Sequence, residues 1–149
     1  MTARVHHSAI VVADFDASLR FWRDGLGFEE IMDMEFDGDW VTLFGATSTR
    51  LRSIFLGDPA RQGVGIVELV QFESEAGVVP SEARSRGAAG FFLLSCYVDV
   101  DAVLDRLRAL GLGGEPGRIV VAGGEAGVHM ATVVDPDGVL VELIGIPSP

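Results

Sequence analysis

The hydrophobic pattern opens with "SAIVVA", residues 8 to 13, whose β-branched alternation predicts a strand. The period then lengthens. Leu19, Trp22 and Leu26 fall at helical spacing and form one apolar stripe. Asp16 offers a side-chain oxygen as the N-cap of that helix, and Gly25 or Gly27 supplies its stop.

The same pattern returns about 85 residues later. "LLSCYVDVDAVLDRLRALG" predicts a strand and a helix capped by Asp101, with Leu104, Leu107 and Leu110 on one face and Gly111 as the stop. Asp14, Asp16 and Ala17 align with Asp99, Asp101 and Ala102. Strand-and-turn sequence follows each helix: "FDGDW", "LRSIFLG" and "VGIVELVQF" in the first half, "RIVVAGGEAG", "VHMATVV" and "VLVELIG" in the second. Each half reads β-α-β-β-β. The expected organisation is a first module over residues 1–77, a polar linker over 78–89 and a second module over 90–149. Neither half buries a full core alone, so the fold class is α+β, with two tandem modules curving a mixed sheet around a central cavity and helices outside.

Composition narrows the function classes. The chain has 149 residues, 48% of them hydrophobic, enough for a sizeable core. No apolar run approaches the ~18–20 residues of a membrane span. Residues 1–20 lack the layout of a signal peptide, so a cytoplasmic protein is expected. A net charge of −11 argues against a nucleic-acid partner, because phosphates need a basic face. With one cysteine, Cys96, there is neither an internal disulfide framework nor a cysteine-rich zinc site.

The repeat, the opening "HSAIVVADFDASLRFWRDGLGF" and the closing "DPDGVLVELI" together resemble the vicinal-oxygen-chelate superfamily: glyoxalases, methylmalonyl-CoA epimerases, extradiol dioxygenases and bleomycin-type resistance proteins. The resemblance covers nearly the whole chain and bears on fold more than on any one reaction. It implies a metal site with one ligand from each of four strands. His7, seven residues before Asp14, matches the first position, Glu68 the second and Glu142 the fourth. The third, seven residues before Asp99, is Phe92, which cannot ligate.

Strand alternation fits this placement. If His7 faces the cavity, so do Ala9 and Val11, while Ser8, Ile10 and Val12 turn toward the helix and His6 belongs with that layer or the rim. Glu68 and Glu142 each sit among aliphatic residues, where a carboxylate is costly unless protonated, paired or bound to a cation; on a half-exposed strand they would simply face solvent. Two carboxylates and an imidazole suit Mg, Mn, Ni, Zn or Fe as divalent ions. His129 is the candidate for a displaced ligand or a substrate contact. With "DPDG" as a tight turn setting Val134 opposite Val139, Ala131 faces Glu142 and His129 lies diagonally on the same face; an odd-length turn would flip it outward. Phe92 and Cys96, with Leu94 and Val98, share one parity and form an apolar pocket wall in which Cys96 is a small buried hydrophobe. Trp40 and Phe44 line an aromatic side of the pocket or belong to the core, and Arg50, Arg52 and Arg61 are candidate anion contacts. The glycine-rich "AGGEAG" is a loop and no phosphate cradle.

Two functions compete. The first is a glyoxalase-like enzyme, a lyase, isomerase or epimerase, using a divalent metal to stabilise an enediolate, with Glu68 or Glu142 as the base. An extradiol dioxygenase fits less well because Phe92 replaces its second histidine. The second is a metal-free protein sequestering an aromatic drug or natural product, with Phe92 as a stacking wall. A metal-free isomerase using the two glutamates ranks below both. The three matching positions favour the enzyme. The resemblance further implies a small-molecule substrate and a homodimer.

Overall fold

The computed structural model describes residues 1–73, 88–121 and 127–146. Most of the expected linker and of the "AGGEAG" loop lies outside the described residues.

Two β-α-β-β-β modules follow one another. The first comprises β1 (His7–Val11), α1 (Phe15–Leu19, continued as a π-helical turn over Arg20–Gly25), β2 (Glu29–Asp37), α2 (Trp40–Phe44), β3 (Arg50–Gly57) and β4 (Ile66–Phe72). The second comprises β5 (Leu94–Val98), α3 (Val100–Ala109), β6 (Gly117–Val121), β7 (Val128–Val134) and β8 (Leu140–Gly145). Each has its own four-stranded mixed sheet, ordered β1-β4-β3-β2 and β5-β8-β7-β6. In each, the first strand runs parallel to the last and the other pairs are antiparallel. No described helix is long and apolar enough to cross a membrane.

The chain divides into two compact units. One takes Met1–Ser18 with the chain from Phe28 through β4; the other takes Leu19–Gly27 with everything from β5 onward. The tail of the first helix thus belongs to the unit that holds β5–β8. Its chemistry explains why. Phe21 and Trp22 are fully buried, and the Trp22 indole N–H donates to the buried Asp135 carboxylate at 3.2 Å. Arg106 donates from Nε to the Gly25 carbonyl at 2.9 Å. A Cβ at Gly25 would run into the Leu107 side chain, so glycine permits α3 to come this close. Gly27, at φ 90°, provides the helix stop.

Both caps sit two residues earlier than expected. Asp14 Oδ1 accepts from the backbone N–H groups of Asp16 and Ala17, and Asp99 Oδ1 accepts from that of Ala102. The helices start at Phe15 and Val100, which leaves Asp16 and Asp101 inside the first turn. "FDGDW" is only a strand end: β2 stops at Asp37, and Asp39 then caps α2 by accepting from the Thr42 N–H.

In the first sheet Ile10, Ile54, Leu56 and Leu69 are buried on one face, which leaves the alternate residues for the other. In the second, Ala131, Val133, Val141 and Leu143 are buried together with Val103, Leu104 and Leu107 of α3.

Candidate functional site

On the first sheet, register decides which side chains meet. Ala9 and Phe55 both pair with Glu68, and Ser53 pairs with Val70. His7, Ala9, Ser53, Phe55 and Glu68 therefore share the face opposite the buried aliphatic one. Alternation from Ala9 back to His7, the first residue of β1, sets the imidazole at the end of that row.

His7 Nε2 lies 3.1 Å from Glu68 Oε2, and the Ser53 hydroxyl donates to Glu68 Oε1 at 2.5 Å. Each carboxylate oxygen thus has its own donor, the charge-assisted arrangement that makes a partly buried carboxylate tolerable among aliphatic neighbours. The Glu68 side chain is 15% exposed and that of His7 37%, so the pair opens at the imidazole end. Of the two expected places for His6 the structure gives the rim and not the helix-side layer: it is exposed, its Nδ1 is 2.8 Å from His7 Nδ1, and both rings lie against Phe55, with centroids 6.1 and 5.5 Å away. The reason is local. β1 starts at His7, so strand alternation does not bind His6.

Further along the same face stands an aromatic group. Leu51 pairs with both Phe36 and Phe72, which places Phe72 on the Glu68 side about 13 Å along β4. Phe44 meets Phe72 edge-on and stacks on Trp40 at 5.6 Å between centroids, with 11° between planes. Trp40, half-buried, donates its indole N–H to the Phe36 carbonyl. Arg50 and Arg52 border a cleft of about 240 Å³ beside this end of the sheet. Both are engaged by carboxylates. Arg52 binds Asp33 through two hydrogen bonds, holding that carboxyl below its ordinary range, and lies over the Phe15 ring. Arg50 meets Glu35, Asp37 and Glu73. Arg61 ends an exposed short helical turn, Pro59–Arg61.

In the second unit, Glu142 pairs with Ser95 on one side and Thr132 on the other. The Ser95 hydroxyl donates to Glu142 Oε2 at 2.6 Å. Three expectations change here, all through register. Val134 pairs with Leu140, so the DPDG turn holds one residue more than a tight turn does. That puts Thr132 opposite Glu142 and sends His129, exposed, to the other face with Ala131. His129 is therefore not in the Glu142 constellation. Cys96 pairs with Leu143 and so faces away from Glu142; burial pushes its thiol up to about 11. Phe92 precedes β5 and is 58% exposed. His7 stands two residues before the partner of Glu68; two residues before the partner of Glu142 is Leu93.

Sequence reasoning missed Ser53, Ser95, Phe55 and the contact of His6 with His7. A lone serine amid the aliphatic residues of "LRSIFLG" was the available signal for Ser53, which the structure then shows to be fully buried.

Among the described residues no three histidine, cysteine, aspartate or glutamate side chains converge as a metal cluster. His7 and Glu68 do fit two adjacent ligands. Donors each ~2.1 Å from a cation at tetrahedral or octahedral angles stand about 3.0–3.4 Å apart, and this pair is at 3.1 Å.

Comparison with known proteins agrees with the fold. Residues 4–143 match the family model described as "Glyoxalase/Bleomycin resistance protein/Dioxygenase superfamily". A lactoylglutathione lyase-like protein, terB, of Aspergillus terreus is 38% identical, over 96% of this chain and 75% of its own length. A glyoxalase family protein of Bacillus cereus superposes with a TM-score of 0.74 at 19% identity, covering 97% of this chain and 95% of that one. The trypanothione-dependent glyoxalase I of Leishmania major does so with a TM-score of 0.61 at 23% identity, covering 97% and 87%.

Proposed function

The chain belongs to the glyoxalase/bleomycin resistance protein/dioxygenase superfamily, and on that premise we propose that it is a glyoxalase-like lyase or isomerase of a small molecule bearing adjacent oxygens. One observation carries the reading: the His7 imidazole and the Glu68 carboxylate, 3.1 Å apart on one face of the first sheet. The relative named as lactoylglutathione lyase-like supports the reaction class.

Glu68 is the group that moves the proton. Ser53 holds Oε1, which fixes the plane of the carboxylate, and Oε2, once released from any ion it shares with His7, would take a proton from the carbon beside a carbonyl and return it to the neighbouring carbon. His7 positions Oε2 and bounds the site with Phe55. Glu142, oriented by Ser95, is the second carboxylate of the reading. A divalent ion, Zn, Ni, Mn, Mg or Fe, held by His7 and Glu68, would supply Lewis-acid polarisation of a carbonyl oxygen when bound. The reading extends to a cytoplasmic homodimer and to module boundaries at 1–77 and 90–149.

The test begins with elemental analysis of untagged protein reconstituted with zinc, nickel or manganese, beside His7→Ala, Glu68→Gln and Glu142→Gln. About one metal per chain, lost in the first two variants, is expected; no metal in the wild type after reconstitution refutes the metal-dependent reading. The hemithioacetal of methylglyoxal and glutathione is the first substrate probe, and Glu68→Gln is expected to lower kcat by ~10²–10⁴-fold.

A second reading, sequestration of an aromatic compound, is favoured by the Trp40–Phe44 stack, whose Phe44 ring is 59% exposed. It predicts quenching of Trp40 fluorescence by a planar aromatic ligand, undiminished in His7→Ala.

A further inference from the structure

We propose that His6 is a positioning residue for His7: its imidazole fixes the tautomer and ring orientation with which His7 presents Nε2 to Glu68, and it does so both with and without a cation at that nitrogen. The second half of the statement rests on the proposed metal-dependent function.

An N···N contact of 2.8 Å between two imidazoles requires one N–H and one bare nitrogen. A carboxylate only accepts, so His7 Nε2, 3.1 Å from Glu68 Oε2, carries the hydrogen. In the neutral imidazole, which has a single ring hydrogen, His7 Nδ1 is then bare and accepts from the Nδ1–H of His6. All donors run one way: His6 to His7, His7 to Glu68, with Ser53 closing the far oxygen.

A cation on His7 Nε2 displaces that hydrogen to Nδ1, which must now donate. The partner must therefore reverse its role. A backbone carbonyl or a carboxylate, the usual partners of a ligating histidine, serves only this second state. A neutral imidazole serves both, by moving its own hydrogen from Nδ1 to Nε2. His6 is free to take this position because it precedes β1, and Phe55 holds both rings in place.

Three variants separate hydrogen bonding from packing. His6→Asn keeps a polar atom near the Nδ1 position and loses the ring. His6→Phe keeps the ring against Phe55 and loses the hydrogen bond. His6→Ala loses both. Zinc affinity is measured by competition with a chelator on the full chain, and the imidazole tautomers of zinc-free protein by long-range ¹H–¹⁵N spectra. Affinity is expected to fall ~10–100-fold in His6→Phe and His6→Ala, the range for lost outer partners of a ligating histidine, and to stay within a few-fold of wild type in His6→Asn. In zinc-free wild type, His7 is expected as one tautomer, protonated at Nε2, becoming a mixture in His6→Phe. Wild-type affinity in His6→Phe, or loss in His6→Asn alone, would show a packing role and overturn the proposal. If wild-type protein takes up no zinc, the metal-dependent function fails and the tautomer spectra decide alone: a mixture appearing in His6→Phe upholds the positioning role, and an unchanged His7 overturns it.

Discussion

Replacing Trp22 by phenylalanine isolates one buried polar contact in the second unit. Asp135 is 4% exposed; its Oδ1 accepts from the N–H groups of Asp137 and Val139, and its Oδ2 from the indole of Trp22 at 3.2 Å. A hydrogen bond to a charged group contributes ~1.5–3 kcal/mol. The smaller ring leaves a void of ~40 Å³, which at ~24 cal/mol per Å³ adds ~1 kcal/mol. The expected destabilisation at neutral pH is therefore ~2.5–4 kcal/mol, read by urea unfolding. The cavity part should persist in an Asp135→Asn background, and the charge-assisted part should shrink, giving a coupling above ~1 kcal/mol in the double-mutant cycle. Equal costs of Trp22→Phe in both backgrounds would refute the reasoning.

Asp135 also sets a pH dependence. Burial is the largest influence on its carboxyl and raises its pKa, against the lowering effect of the Val139 and Trp22 donors. A raised folded pKa means that this group's contribution is fully present below the unfolded value of ~3.9 and is lost as pH rises through the folded value. Relative to wild type, Asp135→Asn should thus gain stability as pH rises across that window.

Gly25→Ala would gain ~1 kcal/mol in an exposed helix, but against the Leu107 side chain it should cost ~1–3 kcal/mol of overpacking; a higher Tm would contradict the close approach. Cys96, raised from 9.0 to about 11, should alkylate about 100-fold more slowly in the folded than in the unfolded chain near neutral pH, with a rate rising about tenfold per pH unit. A fast folded-state reaction with iodoacetamide, followed by mass, would show an exposed thiolate. Ser53→Ala frees Glu68 Oε1 and should lower kcat ~10-fold or more while leaving KM nearly unchanged; a change confined to KM would mean that Ser53 acts on substrate binding.

How much was legible depended on whether one residue or a register had to be known. The repeat and the parity of β1 follow from apolar spacing, and they bring His7 to the face that Glu68 occupies. Glu142 and its neighbours needed more. Alternation fixes faces only relative to a partner strand, and a one-residue difference in a turn inverts the assignment. That is how His129 came to face away from Glu142, while Cys96 does so through the separate register of β5 against β8. α2 is too short for a periodic signal, and its start is marked only by the Asp39 cap. The caps at Asp14 and Asp99 were ambiguous because each is followed two residues on by another aspartate with the same capping chemistry.

The extra residue of the DPDG turn has a consequence for descent. Were it deleted, β7 would have to rotate, exposing Ala131 and Val133 and driving Thr132 and Met130 into the core. Only a lineage that rewrote the strand's whole alternation along with the turn would carry a histidine at position 129 over to Glu142. Turn length and strand alternation are coupled here: in a relative, a one-residue change of this loop is expected to move every side chain of the strand to its other face, which no single substitution does.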